Sequence, residues 1–415
     1  MLAVMLLLTG TAAACSSGGG HRRDAPTVAE ISELLARHAR ELLTGSRAGF
    51  LADVDTAAAA KAFRSRQAAQ LDNLADVPLQ SWRYSVAAPV TDGTALAAAT
   101  RRYGAPARIV RVSLQYRLRG VDADPDRHDL WWTFVRRGGR VLLAGDDDLA
   151  DTGGTSWRGP WDFGAVVVAR GTSSLVLGHI ANATALTRLA GVADAAVPAV
   201  TAVWGGAWSQ RVAVVVPADG AEFAALTGGT ADADVSATAV TAGVDPVTGR
   251  PYGQRLVLSP TAPGTLSGVG EQIVIRHELT HLAAAADTSE STPRWVVEGF
   301  ADYVGERGSG QSVAVAAAEL RRDVLAGDVP AALPADSAFA AGAPGRAQAY
   351  EQAWLACRLL AARAGVVGLA RFYRAVGTAV APAAQAVATA LHAAVGLSLA
   401  AFTAQWRAYL IRELG

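Results

Sequence analysis

The short stretch HELTH, from His277 to His281, constrains the fold of this 415-residue chain more than any other feature. Residues four apart lie on one face of an α-helix, so both imidazoles can reach one cation if the segment is helical. Residues 271–287 contain no proline or glycine, which favours a buried helix here. Glu278 would then lie one step around the helix, able to contact a metal-bound water without occupying the metal.

A second predicted helix supplies the third ligand that a catalytic zinc site needs beside one open position. The segment STPRWVVEGFADYVGERG begins with Ser291 or Thr292 as a helix cap and continues with a proline, which suits the first helical position. Glu298 and Asp302 are four residues apart in it, so they share one face. The sequence predicts Glu298 as the third ligand and Asp302 as a supporting carboxylate.

The second helix also carries a W-x-x-E-G-x-A-x-Y pattern. Its members are Trp295, Glu298, Gly299, Ala301 and Tyr303. A H-E-x-x-H helix followed by a helix of this pattern resembles the gluzincin zinc metallopeptidases. Within that clan the chain is most similar to the bacterial peptidase MA-like proteins, many of which are exported. The similarity is clear from about residue 256 to 303 and looser from about 165 to 412.

The resemblance implies a role for each residue of the two motifs. His277, His281 and Glu298 would hold Zn²⁺, and Glu278 would be the general base that takes a proton from water and passes it to the leaving amine. Asp302 matches the carboxylate that orients the first ligand histidine in thermolysin-like enzymes.

A tyrosine or histidine often supplies one further donor to the developing oxyanion in such enzymes. Tyr350 is our candidate, because it opens a helix after the Ala/Pro/Gly-rich loop 328–345 and similar positions in the clan carry such a tyrosine. A plain packing role for Tyr350 remains the alternative at this point, and Tyr303 is predicted to be a core residue.

Asp287 is a competing third ligand. It lies six residues after His281, where the metzincin peptidases place theirs. Those enzymes turn the chain with a glycine after the second histidine, whereas this chain has Ala284 within an alanine run. A helix that continues through this run would point Asp287 away from the metal, so we expect Glu298 to be the ligand.

Periodicity elsewhere predicts an α+β fold. Residues 25–150 read as helices followed by an antiparallel sheet, for which an NTF2-like wrap is one candidate. An acidic, glycine-rich linker follows at 146–160, and 160–415 is predicted as the gluzincin-like metallopeptidase domain, largely helical toward the C-terminus. Residues 1–24 form a signal and tether.

Local sequence patterns predict four further features of secondary structure. Thr27 and Glu30 form a capping box, and residues 110–118 alternate as a half-buried strand. A hairpin turns at Gly138 and Gly139, and the stretch 175–202 is expected to be mostly helical.

The N-terminus MLAVMLLLTGTAAACSSGGG resembles a bacterial lipoprotein signal, with small residues before Cys15 and a Ser/Gly tether after it. Its apolar part is too short to span a bilayer. We therefore expect lipidation at Cys15, a membrane anchor through that lipid, and a mature protein on the extracytoplasmic face. The second cysteine, Cys357, is expected to be buried in a helix, with no internal disulfide.

Composition excludes some partners. The chain has 37 basic and 37 acidic residues and no Lys/Arg-rich block, so nucleic acid is not expected. We assign four other histidines, His38, His128, His179 and His392, to no metal site. The last two have no partner at metal-binding spacing.

Two functions follow from these residues. The first is a zinc peptidase whose peptide substrate adds to the strand at 255–259, just before the catalytic helix. The chain lacks a Gly-x-Met-Glu-Asn-type motif that would anchor a free N-terminus, which favours an endopeptidase. The second is a non-catalytic zinc-binding envelope lipoprotein that acts in binding or assembly.

Overall fold

A computed structural model describes residues 24–229 and 236–415. Cys15 lies outside the described residues. The helices are α1 Val28–Leu43, α2 Arg47–Ala52, α3 Lys61–Asn73, α4 Gly93–Tyr103, α5 Ala183–Trp204, α6 Gly220–Leu226, α7 Ala262–Thr265, α8 Gly268–Ala284, α9 Arg294–Glu306, α10 Val313–Ala316, α11 Ala318–Ala326, α12 Arg346–Gly377, α13 Ala383–Val395 and α14 Leu399–Leu414. The strands are β1 Leu79–Pro89, β2 Ala107–Leu118, β3 Asp126–Arg137, β4 Arg140–Gly145, β5 Val167–Arg170, β6 Ser174–Gly178, β7 Val212–Val215, β8 Ala237–Val240, β9 Gly243–Val244, β10 Pro251–Tyr252 and β11 Arg255–Leu258.

The strands form two principal sheets, and the α+β class is confirmed. The first sheet is antiparallel with the order β1-β2-β3-β4, and α1 packs on it. The second has the order β5-β6-β7-β11-β8, in which β6, β7 and β11 are parallel and the two outer strands run antiparallel. Helices follow the second sheet to the C-terminus, as predicted.

The local predictions for the N-terminal module are confirmed. The Thr27 hydroxyl accepts a hydrogen bond from the Glu30 amide, and the Glu30 carboxylate accepts one from the Thr27 amide. Along β2 the five predicted inward residues are buried. Gly138 and Gly139 both have positive φ, at 56° and 80°, which a two-residue hairpin of type I′ requires. Helix α4, between β1 and β2, was not predicted.

The prediction of a mostly helical stretch at 175–202 is wrong at its beginning. Ser174–Gly178 is a strand, β6, which pairs with β5 and β7, and the helix starts only at Ala183. Every residue of β6 is buried. A short apolar run that is covered on both faces has no alternation, so periodicity alone cannot separate it from a helix.

The two modules share a hydrophobic core. One cluster of buried side chains joins the antiparallel sheet to the second sheet and to the segment that connects them. Its members from the connecting segment and the second sheet are Trp161, Val166, Leu175, Leu177 and Ala213. The core therefore continues directly after the predicted linker, and the partly buried Trp157 within that linker packs against it.

Helical residues 180–204 and 346–377 are each long and apolar enough to cross a membrane. The apolar windows of these helices are 44% and 50% buried, and α5 packs against α8 while α12 packs against α9. Their buried faces belong to the large C-terminal hydrophobic cluster, which accounts for their apolar composition.

Candidate metal centre

Helices α8 and α9 carry the predicted site, and glycines let them pack closely. A Cβ atom on Gly305 would lie 3.0 Å from the carbonyl oxygen of Ile273 and 3.6 Å from the Cβ of His277. On the other side of α9, a Cβ on Gly299 would lie 2.4 Å from the carbonyl oxygen of Ala353 in α12. Helix α9 is thus held between α8 and α12, which directs Glu298 toward the histidines.

Three donor atoms from these helices converge on one point. The Nε2 atoms of His277 and His281 are 3.0 Å apart, and the Oε2 atom of Glu298 lies 3.4 Å from each of them. Zinc bonds of about 2.0–2.1 Å at tetrahedral angles separate two ligand atoms by about 3.3 Å. The triangle of donors therefore fits one face of a zinc coordination tetrahedron.

Asp302 lies behind the first histidine. Its Oδ1 atom is 2.7 Å from His277 Nδ1, and since a carboxylate only accepts, Nδ1 carries the proton and Nε2 faces the other donors. Burial opposes protonation of His277, but the Asp302 carboxylate outweighs it and raises the pKa of His277 well above its usual range. This is the arrangement that fixes ring orientation in histidine metal sites.

Glu278 lies beside this triangle and is buried. Its Oε2 atom accepts a hydrogen bond of 2.7 Å from the backbone amide of Ala239 in β8. Burial raises the pKa of Glu278, and the negative charge of Glu298 adds to that increase, although the imidazoles oppose it. A carboxylate with a raised pKa, held next to a metal site, is suited to accept a proton.

The charge balance of the site favours a divalent cation. Two buried carboxylates, those of Glu278 and Glu298, and the partly buried carboxylate of Asp302 surround the two imidazoles. Arg294 is a further neighbour, with Nη2 at 3.0 Å from Glu298 Oε1. Buried charge is costly unless it is paired or coordinates a metal, and a bound Zn²⁺ would compensate this excess.

Asp287 does not join the three donors. It ends a short 3-10 helix that continues from α8, and its Oδ2 atom lies 3.3 Å from the Nε of Arg374. The structure thus brings Glu298, and not Asp287, to the histidines.

Tyr350 lies in the second turn of α12 and is half-buried against Phe339, with ring centroids 5.2 Å apart. Its pKa is raised first by burial and then by the negative charge of Glu298. Tyr303 is buried in the C-terminal core, as predicted.

Four other histidines have surroundings different from those of His277 and His281. His38 is fully buried against Phe50, and His128 stacks on Trp157 at 3.6 Å. His179 contacts Glu222 at 2.9 Å, and His392 is exposed on α13. Cys357 is completely buried in α12, as predicted.

The expected substrate strand is not at the sheet edge. Residues 255–258 form β11, which pairs with β7 on one side and with β8 on the other. The prediction that a peptide adds directly to 255–259 is therefore wrong, because β8 covers it. Sequence reasoning missed β8, since Ala237–Val240 is only four residues long and carries no strong strand pattern.

Arg294 was not predicted to be part of the site either. Its spacing of four residues before Glu298 was the available signal, because oppositely charged residues at that spacing pair on a helix.

No protein-family model matches the chain, and no curated protein matches it. The resemblance to the gluzincins rests on the two sequence motifs.

Proposed function

We propose that this protein is a zinc-dependent peptidase of the gluzincin type, similar to the peptidase MA-like proteins, anchored to the outer side of the cytoplasmic membrane through a lipid on Cys15. The observation that carries the peptidase proposal is the convergence of His277, His281 and Glu298 beside a buried carboxylate that is not one of the donors. A structural zinc site is closed by four protein ligands and has no use for a neighbouring base such as Glu278.

Zn²⁺ bound by the three donors would act as a Lewis acid and would lower the pKa of its bound water toward neutrality. Glu278 accepts the proton of the attacking water and delivers it to the leaving amine. Its hydrogen bond with the Ala239 amide holds the carboxylate beside the site. Asp302 keeps the His277 ring in the orientation that presents Nε2. Tyr350 is the candidate donor to the oxyanion.

The substrate is a peptide or protein segment in extended form. Strand β8 is the outer strand of the sheet on the side of the metal centre, and its residue Ala239 contacts Glu278 directly. An extended peptide that pairs with this edge would bring a carbonyl group to the zinc by backbone hydrogen bonds alone. Such binding is independent of a free terminus and favours an endopeptidase.

The test compares wild type with Glu278→Gln on a mixed peptide library, with bound zinc measured in both. We expect wild type to cleave peptides and Glu278→Gln to lose about 100- to 10,000-fold in rate while it keeps its zinc. Glu290→Gln, at an exposed position between α8 and α9, is the control and should retain full activity.

Two outcomes would contradict the proposal. Negligible turnover in wild type and Glu278→Gln, with zinc bound in both, would favour the non-catalytic zinc-binding envelope lipoprotein. If the purified protein contains no stoichiometric zinc, the proposal of a zinc site fails.

A further inference from the structure

Arg294 is the first residue of α9 and contacts the ligand carboxylate directly. Its Nη2 atom lies 3.0 Å from Glu298 Oε1, one helical turn along the same face. The Arg294 side chain is 50% exposed, whereas that of Glu298 is 6% exposed, so the guanidinium reaches inward from the surface. The Arg294 backbone amide donates to Asp336 Oδ1 at 2.8 Å, which fixes the residue at the start of the helix.

The two oxygens of Glu298 have different partners. Oε2 lies 3.4 Å from the Nε2 atoms of both His277 and His281, while Oε1 is turned to Arg294. A carboxylate can bind a metal through one oxygen or through both. With Oε1 held by a charged donor, only Oε2 is directed to the centre of the donor triangle.

The number of Glu298 oxygens that bind the metal affects whether a coordination position stays open. A catalytic zinc site keeps one position open beside three protein ligands. A second oxygen from Glu298 would occupy part of the space that water and the substrate carbonyl need. A partner outside the ligand shell that withdraws this oxygen would therefore preserve the open position.

We propose that Arg294 is a positioning residue that holds Glu298 as a one-oxygen ligand and so keeps the fourth side of the metal centre free. This inference rests on the zinc site of the proposed function, but it does not require that the substrate be a peptide. The competing explanation is an ordinary surface ion pair at helical spacing, which stabilises the helix slightly and has no effect on a metal.

The experiment measures metal binding by the full chain. Zinc affinity is determined by competition with a chromophoric chelator for wild type, Arg294→Gln and Arg294→Lys. The same proteins are loaded with Co²⁺, whose visible absorption reports the coordination number. Arg322→Gln is the matched control, because Arg322 forms an exposed helical pair with Glu319 at 3.3 Å on α11.

Loss of a partner of this kind lowers metal affinity by about 10- to 100-fold, and we expect this loss for Arg294→Gln. Its Co²⁺ spectrum should weaken toward that of a five-coordinate ion, with Arg294→Lys between it and wild type. Arg322→Gln should match wild type in both measurements. Circular dichroism of each variant shows whether the fold is retained.

Wild-type zinc affinity together with a wild-type Co²⁺ spectrum in Arg294→Gln would overturn the inference. If wild type binds zinc tightly but cleaves no peptide, the peptidase proposal fails while the role of Arg294 is still decided by these two measurements.

Discussion

At the residue scale, the groups around each histidine side chain determine its role. His277 and His281 are partly exposed and surrounded by carboxylates, whereas His38 is fully buried and stacked on Phe50, with centroids 3.9 Å apart. His38 Nε2 lies 3.2 Å from Gln67 Oε1, and its Nδ1 is 3.8 Å from Asp53 Oδ2. His38 therefore stabilises the N-terminal core as a neutral, packed side chain.

The stability of the N-terminal module should depend on the protonation of His38. Burial lowers the pKa of His38 from 6.5 to about 4, and the hydrogen bond with Gln67 offsets only part of that decrease. The folded-state pKa lies below the unfolded one, so the stabilisation is complete above pH 6.5 and is lost as pH falls toward 4. A shift of this size corresponds to a loss of about 3 kcal/mol.

The measurement is the free energy of unfolding of wild type and His38→Gln between pH 7 and pH 4. Wild type should lose about 3 kcal/mol more than the variant over this interval. His392→Gln, at an exposed position, should follow wild type throughout. Parallel curves for wild type and His38→Gln would show that His38 does not titrate in this way.

At the scale of elements, the metal centre depends on how closely three helices approach. Gly299 and Gly305 lie on opposite sides of α9, against α12 and α8 respectively. A side chain at either position would separate the helices and move Glu298 relative to the histidines. The glycine of the E-G pair thus has a packing function, independent of any conformational freedom of the backbone.

Gly299→Ala should destabilise the protein and weaken zinc binding. The added methyl group would lie 2.4 Å from a backbone oxygen of Ala353, which cannot move without its helix. Overpacking of this kind costs about 1–3 kcal/mol. The measurement is urea denaturation together with zinc affinity by chelator competition.

Gly191→Ala provides the control, because Gly191 is an exposed residue inside α5 and an added Cβ meets nothing within 4 Å. Replacing a helical glycine with alanine stabilises by up to about 1 kcal/mol. Equal stabilities of the two alanine variants would contradict the close contact of α9 and α12.

At the scale of the whole molecule, the N-terminal module is attached to β11, the strand that precedes α7 and α8. Arg255 in β11 makes two contacts with Asp122, at 2.7 and 2.9 Å, and one with Asp126 at 3.2 Å. Arg255 pairs across the sheet with Val240 in β8, next to the residue that binds Glu278. The buried ion pair and the shared hydrophobic core make the two modules one structural unit.

Asp122→Ala should therefore destabilise both modules together. Removal of one partner of a buried ion pair costs about 3 kcal/mol, and we expect a loss of up to about this size because Arg255 keeps Asp126 as a charged partner. Asp129→Ala, which breaks the exposed pair with Arg111, should cost less than about 1 kcal/mol. Chemical denaturation followed by hydrogen exchange in both modules measures the two effects. Separate unfolding transitions for the two modules would contradict a shared core.

The sequence by itself determined the elements with strong local signals and the three candidate metal donors. The capping box at Thr27, the alternation of β2 and the turn at Gly138 depend on neighbours in the chain, and the two histidines share a face because the helical period places them there. Only the tertiary structure decided what depends on distant partners. Contacts between parts of the chain that are distant in sequence decided four features: the strand β6, the pairing of β8 with β11, the contact of Arg294 with Glu298 and the shared core of the two modules. Local sequence patterns do not predict such contacts, because these surfaces meet only after the chain has folded.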